Sequence, residues 1–264
     1  MPGAATMIRE QSVKSLPVST RANGKNISTA TAFVAVHQGE HYLVTNWHVA
    51  AGRRPDDGSV LSKSGAVPDD LSVLHNVAGK LGHWEQRLEP LYDGNGDPLW
   101  LEHPVCGRQV DVVALPLTET KGVDIFPYDP INPGPLISFG PSDTVSIIGF
   151  PFGRSGGGGL GIWVQGTIAT EPAIDYLELP CFLVDSRTRE GQSGSPVILY
   201  RPTGYSTEDA NMVLTGQPAE RFIGVYSGRI NEESDLGSVW KANALAEILT
   251  AQKRGLFPKI SPVV

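Results

Sequence analysis

Cysteine is scarce in this chain. Cys106 and Cys181 are the two it has, too few for a disulfide framework, and neither belongs to a metal-ligand pair such as C-x-x-C. Positive charge is also short: 21 Lys and Arg stand against 28 Asp and Glu, a net charge of −7. No basic field is left to hold phosphate backbones, so nucleic acid is not an expected partner. No apolar run approaches the ~18 residues of a membrane span, and no membrane association is expected. Met1–Val18 carries Arg9, Glu10 and Lys14 without an apolar core, unlike a signal peptide. A soluble cytoplasmic protein is therefore the expectation.

What the chain has in plenty is turn formers. Its 264 residues include 30 Gly and 21 Pro, with 40% hydrophobic residues, which fits many short strands better than a few long helices. The length suits one large all-β domain or two fused lobes. From Thr31 to Val49, TAFVAVHQGEHYLVTNWHV reads as a hairpin turning at Gln38-Gly39-Glu40. Strand-like pieces follow at Trp84–Leu91, Pro98–Leu101 and Val110–Leu117, with loop over Arg53–Asp70. Thr118–Pro135 holds four prolines and no periodicity, and it places a linker at 121–137. Further strands are predicted at Thr144–Gly149, Ile162–Thr170, Tyr176–Val184, Pro196–Leu199 and Phe222–Ser227. Near the end Trp240, Ala244, Leu245, Ile248 and Leu249 share a helical face, with Ser238 placed to cap and Gly255 to stop. The domain reading is an N-terminal extension (1–24), a first lobe (25–120), the linker, a second lobe (138–237), and a C-terminal helix and tail (238–264).

Three segments carry chemistry. In Gly191-Gln192-Ser193-Gly194-Ser195-Pro196 a serine between glycines can expose its hydroxyl while neighbouring backbone N–H groups converge on a developing oxyanion. Gly-x-Ser-Gly also occurs in plain turns. His48, in Thr45-Asn46-Trp47-His48-Val49-Ala50, can serve as a general base or simply as a structural residue. Asp111, inside Val110-Asp111-Val112-Val113-Ala114-Leu115, is costly to bury without a partner, and an imidazole N–H is a suitable one. The other reading of Asp111 is a strand-edge residue facing water.

Taken together, the chain order His, Asp, Ser is that of the chymotrypsin-type triad. An α/β-hydrolase needs its histidine last, yet the last histidine is His103. A subtilisin order needs an aspartate ahead of the histidine, and none precedes His48. The histidines give no support for a zinc hydrolase, so no metal and no cofactor are expected. The tetraglycine Gly156–Gly159 lacks the Gly-Lys-Ser/Thr of a phosphate loop and reads as a surface loop.

These residues resemble the trypsin-like serine peptidases of chymotrypsin fold, in particular the bacterial trypsin-like, V8-like and HtrA-like branches. The resemblance spans roughly Ala30–Leu249 and rests on TAFVAV, TNWHVA, VDVVALPL, IIGFPFG, GQSGSPV and IGVYSG. It implies an all-β fold of two antiparallel six-stranded β-barrels with a C-terminal helix and the site in the cleft between them. His48, Asp111 and Ser193 would be the catalytic triad of a serine endopeptidase acting on protein or peptide substrates. The turn Gly191-Gln192-Ser193 would form the oxyanion hole through the N–H groups of Gly191 and Ser193. Ser227, Gly228 and Arg229 would pair with an extended substrate.

Departures carry expectations of their own. Trypsin has an aspartate just before its nucleophile to receive a freshly cut N-terminus; here Gln192 stands there, so activation by propeptide cleavage is not expected. The site is then either preformed or ordered by a regulatory protein partner. PDZ modules of the HtrA branch are not expected. Counting six residues back from Ser193 reaches Arg187, which would attract an acidic side chain if it faced the primary pocket. Alternatively Arg187 turns outward toward Asp185 or Glu190, leaving a pocket bounded by Thr188 and Tyr226 for small or apolar residues. The competing function is a non-catalytic protease-like module that binds a protein partner.

Overall fold

Alternation of buried and exposed side chains builds two β lobes. The computed structural model describes residues 8–231 and 233–256. After a short helix α1 (Gln11–Lys14), the first lobe contains β1 (Ser15–Ala22), β2 (Lys25–His37), β3 (Glu40–Thr45), helix α2 (Trp47–Ala51), β4 (Asp70–Val77), β5 (Trp84–Pro90), β6 (Val113–Pro116) and β7 (Val123–Asp124). The second contains β8 (Thr144–Gly149), β9 (Ile162–Ile168), β10 (Cys181–Ser186), β11 (Pro196–Arg201), a small hairpin β12 (Gly204–Ser206) and β13 (Met212–Leu214), β14 (Ala219–Arg229) and β15 (Leu236–Lys241). Helix α3 (Ala242–Ala251) follows. Among the described residues no helix is long and apolar enough to cross a membrane.

The second lobe is a closed six-stranded barrel in the order β10-β15-β14-β11-β8-β9. Its interior is filled by Val145, Ile147, Phe182, Val184, Val197, Leu199 and Val239, all nearly or wholly buried. The first lobe corrects the expectation of a second barrel: it is a seven-stranded sheet in the order β5-β4-β1-β2-β3-β6, with β7 paired to β4. Pro90 ends β5 and Pro116 ends β6, and a proline offers no N–H to a closing ladder. A side chain bridges that gap instead. Buried Glu89 on β5 accepts from both the N–H and the hydroxyl of Thr118, just past β6, at 3.2 and 2.9 Å.

Residues 15–22, inside the expected N-terminal extension, form β1, an inner strand between β2 and β4. Pro17 fits there because β1 meets β4 only from Val18 onward, so the edge that lacks an N–H faces no partner strand at that point. Removing the chain ahead of Thr31 would therefore dismantle the sheet. Residues 1–7 and 257–264 of the expected extension and tail lie outside the described residues. Ser238 is a second correction: it belongs to β15, which pairs with both β10 and β14 and closes the barrel. Helix α3 starts later, after Lys241, and ends on left-handed Gln252 rather than at Gly255.

Another apolar cluster fastens the lobes to each other. Phe33 of β2, Tyr128 of the connecting segment and Phe222 of β14 are buried and stand 5.0–5.5 Å apart between ring centroids, within the range of favourable aromatic pairing. Ala244, Leu245, Ile248 and Leu249 of α3 join this cluster. The helix thus seals the junction of both lobes rather than the second alone. Lys14 adds a contact across it, with its ammonium 4.4 Å from the Tyr128 ring centre and 3.1 Å from Glu220.

His75 of β4 is buried at 1% exposure, and neither ring nitrogen has a hydrogen-bond partner among the described residues. Burial, with a smaller contribution from the charge of Arg87, pushes its pKa down to about 4. The unfolded chain takes up a proton at this position below about 6.5, the folded one only below about 4, so stability falls as the pH drops through that window. The loss amounts to about 3 kcal/mol at full development. Urea unfolding between pH 7 and 4 checks this: wild type loses that much more stability than His75→Leu over the same range.

Candidate active site

The site is assembled around one carboxylate. Asp111 lies just ahead of β6, between fully buried Val110 and Val112, and is itself 4% exposed. Its Oδ1 accepts the backbone N–H of His48 at 2.8 Å, and its Oδ2 stands 2.6 Å from His48 Nδ1. The hydroxyl of Ser227 also donates to Oδ2, at 2.5 Å. These bonds replace the water lost on burial.

His48 sits on α2, the single helical turn that follows β3, rather than at the end of the strand. Trp47 anchors that turn: it is fully buried, and its indole N–H donates to Glu102 at 2.8 Å, which also accepts from Trp100 at 2.9 Å. Asn46, ahead of the helix, donates its side-chain amide to the Asp111 carbonyl at 2.7 Å. With a carboxylate on Nδ1, that nitrogen carries the proton and Nε2 is left as the basic one. Burial pulls the imidazole pKa down, but the charge of Asp111 and its hydrogen bond together pull it further up, so it stands above the ordinary 6.5.

Ser193 occupies the turn before β11. Gly191 and Gly194 flank it with φ of +92° and +84°, and a Cβ on either would lie 2.5 Å from the Phe150 carbonyl or 2.1 Å from the Thr31 carbonyl. Only glycine fits those positions. The Glu190 carbonyl accepts from Phe152 N–H at 2.6 Å; across the planar trans peptide the Gly191 N–H therefore points the opposite way. Among the described residues neither that N–H nor the Ser193 N–H has a partner. Gln192 differs: its N–H is taken by the Arg189 carbonyl at 3.2 Å. Its side chain accepts from Arg189 N–H at 2.9 Å and closes the loop from within.

His48 and Ser193 line the same cleft. In the resting geometry the Ser193 hydroxyl donates to the Ser227 carbonyl at 2.9 Å rather than to the imidazole. Ser227 therefore serves both partners, its hydroxyl on Asp111 and its carbonyl on Ser193. A shift in strand register between Tyr226 and Gly228 makes this arrangement, since a bulge re-aims the residue it contains.

A neighbouring cleft also opens on Ser193 and is lined by Thr188, Arg189, Tyr226, Gly228 and Arg229. Thr188 and Tyr226 are buried and hydrogen-bonded to each other through their hydroxyls. Arg187 is absent from that lining and exposed, the outward one of its two expected placements. Buried and exposed residues alternate through Ser186, Arg187 and Thr188, so a count of six lands on the outward phase. The ion contact of this loop is made not by Arg187 but by Arg189, 4.0 Å from Asp235.

Sequence reasoning missed Thr31. Its N–H donates to the Ser193 carbonyl at 2.9 Å, its hydroxyl donates to the Gly191 carbonyl at 2.8 Å, and it accepts from Phe150 N–H at 3.0 Å. A polar residue opening the apolar run Ala32–Val36 was the available signal.

No protein-family model and no curated protein matches the chain. Solved structures do match its fold. A serine endoprotease from Yersinia pestis shares 16% identity at a TM-score of 0.50, covering 91% of this chain, which spans 62% of that protein. A protease from Mycobacterium tuberculosis, in its active form, shares 15% at 0.50 over 95% of this chain and 85% of its own. A thermostable serine protease from an extremophilic microorganism shares 10% at 0.53 over 92% and 98%. The likeness establishes a fold shared with these serine proteases.

Thr31→Val keeps the shape and deletes the hydroxyl, leaving the Gly191 carbonyl and the Phe150 N–H unpaired in the interior. Chemical denaturation should record a loss of about 1–3 kcal/mol, recovered in Thr31→Ser. Equal stability of the valine variant and wild type would contradict the bracing role.

Proposed function

We propose that this protein is a serine endopeptidase that cleaves peptide bonds through an acyl-enzyme. The observation that carries the reading is the buried Asp111 carboxylate on His48 Nδ1, with Ser193 in the same cleft. The fold shared with serine proteases supports it and points to proteins or peptides as substrates.

In this mechanism an extended substrate pairs along Ser227–Arg229. Rotation about the Ser193 side chain moves its hydroxyl from the Ser227 carbonyl to His48 Nε2. As the oxygen attacks the scissile carbonyl, His48 takes the proton and Asp111 keeps the imidazole in its Nδ1–H tautomer while balancing the new charge. The N–H groups of Gly191 and Ser193 receive the oxyanion. The imidazolium then protonates the departing amine. Water enters, gives its proton to His48 and its oxygen to the acyl carbon, and Ser193 leaves with that proton restored.

A fluorophosphonate probe tests this on the intact chain. Wild type should be labelled at Ser193 and Ser193→Ala should not; an unlabelled wild type would favour a module that only binds proteins. Asp111→Asn should keep the fold and lower kcat by about 10⁴. Because the base must be neutral, kcat/KM should rise with pH through a midpoint above 6.5, the direction in which Asp111 moves His48. A midpoint below 6.5 would contradict the assignment of His48.

A further inference from the structure

Asp111 is not the only buried carboxylate tied to the turn that carries His48. Glu102 is 4% exposed, and its Oε1 accepts the indole N–H of Trp47 at 2.8 Å and that of Trp100 at 2.9 Å. Both indoles are fully buried. An ionised acceptor makes such bonds stronger than a neutral one would, and a buried carboxylate that lost either donor would lack a replacement for water. The Trp47–Glu102 pair is therefore held firmly, one residue ahead of His48 in the chain.

Helix α2 needs such a hold. It has five residues, and its N-cap Asn46 makes no side-chain bond to the helix, donating to the Asp111 carbonyl instead. So short a helix has little stability of its own, and outside contacts set its orientation. Asp111 supplies some of them through Asn46 and His48. Glu102 supplies another through Trp47.

The chain that follows α3 fixes Glu102 in turn. The Glu102 N–H donates to the Lys253 carbonyl at 2.9 Å, Leu101 bridges Arg254, and the Gly255 N–H donates to the Trp100 carbonyl at 2.9 Å. Residues 253–255 thus lie as a short antiparallel strap along residues 100–102. Gly255 permits the approach, since a Cβ there would stand 2.7 Å from both Glu102 Oε1 and Trp100 Nε1. None of Trp47, Trp100 and Glu102 lines either cleft that opens on Ser193.

We infer that Glu102 is a positioning residue for His48: it acts through the Trp47 indole, and the strap 253–255 holds it in place. The inference rests on the peptidase reading. The clamp sets where the imidazole stands and not what the clefts bind, so its loss lowers kcat and leaves KM. Displacing the base by ~1 Å costs about 10²-fold.

The test measures kcat and KM on one peptide substrate, with fluorophosphonate labelling and urea unfolding of each variant. Glu102→Met removes the acceptor and should lower kcat by ~10–100-fold with KM within about twofold. Glu102→Gln, whose carboxamide oxygen can still accept, should recover most of that loss. Trp47→Phe deletes the N–H at the other end, and combined with Glu102→Met it should cost no more than the larger single loss. Gly255→Ala, outside both clefts, should lower kcat in wild type but not in Trp47→Phe, and it decides the matter if Glu102→Met does not fold. Wild-type kcat in folded Glu102→Met or Gly255→Ala, a change confined to KM, a Glu102→Gln no better than Glu102→Met, or losses that simply multiply would overturn the inference. The peptidase reading then stands as long as wild-type Ser193 is labelled. Absence of both labelling and cleavage in wild type overturns the two together.

Discussion

A carboxylate withdrawn from water must be met by donors, and Asp111 sets that demand on two separate parts of the chain. Its oxygens accept the backbone and ring N–H groups of His48 from α2 and the hydroxyl of Ser227 from β14. An unpaired charge in that setting costs several kcal/mol (about 3–5 when one partner is removed), so the three contacts depend on one another. The consequence is architectural. The first lobe must deliver a helical turn and the second a bulged strand to the same point.

The docking that brings them there is apolar. Phe33, Tyr128 and Phe222 lock β2 to β14, and α3 covers the seam. On this frame Thr31 reaches from β2 into the turn around Ser193, holding the Gly191 and Ser193 carbonyls. The loop that carries Ser193 in one lobe is thus braced by a buried residue of the other. Glycine is required at 191 and 194 because backbone atoms of the neighbouring segments approach to where a Cβ would be.

Much of this was legible in the sequence, for identifiable reasons. The hairpin around Gln38-Gly39 and the strands at Thr144 and Pro196 are short apolar runs bounded by turn formers, which local pattern alone specifies. Asp111 stood out because its neighbours are Val110 and Val112, so its burial implied a partner. What escaped reading depended on contacts distant in sequence. Pro17 disguised β1, since the absence of a ladder partner on its N–H side is visible only in the folded sheet. The open first sheet depends on Glu89 reaching Thr118 in place of a strand pairing. Ser238 resembled a helix cap because nothing local announces that the barrel needs a sixth strand there. Counting leaves both placements of Arg187 open, whereas the phase of burial along Ser186–Thr188 determines which side chain faces the cleft.

Asp111 fixes the protonation of His48, and nitrogen NMR of the imidazole, in wild type and Asp111→Asn, reads it directly. At neutral pH the proton should reside on Nδ1 with Nε2 bare, the titration midpoint should lie above 6.5, and the substitution should lower it. A proton on Nε2 in the wild-type protein, or a midpoint that the substitution leaves in place, would contradict the account.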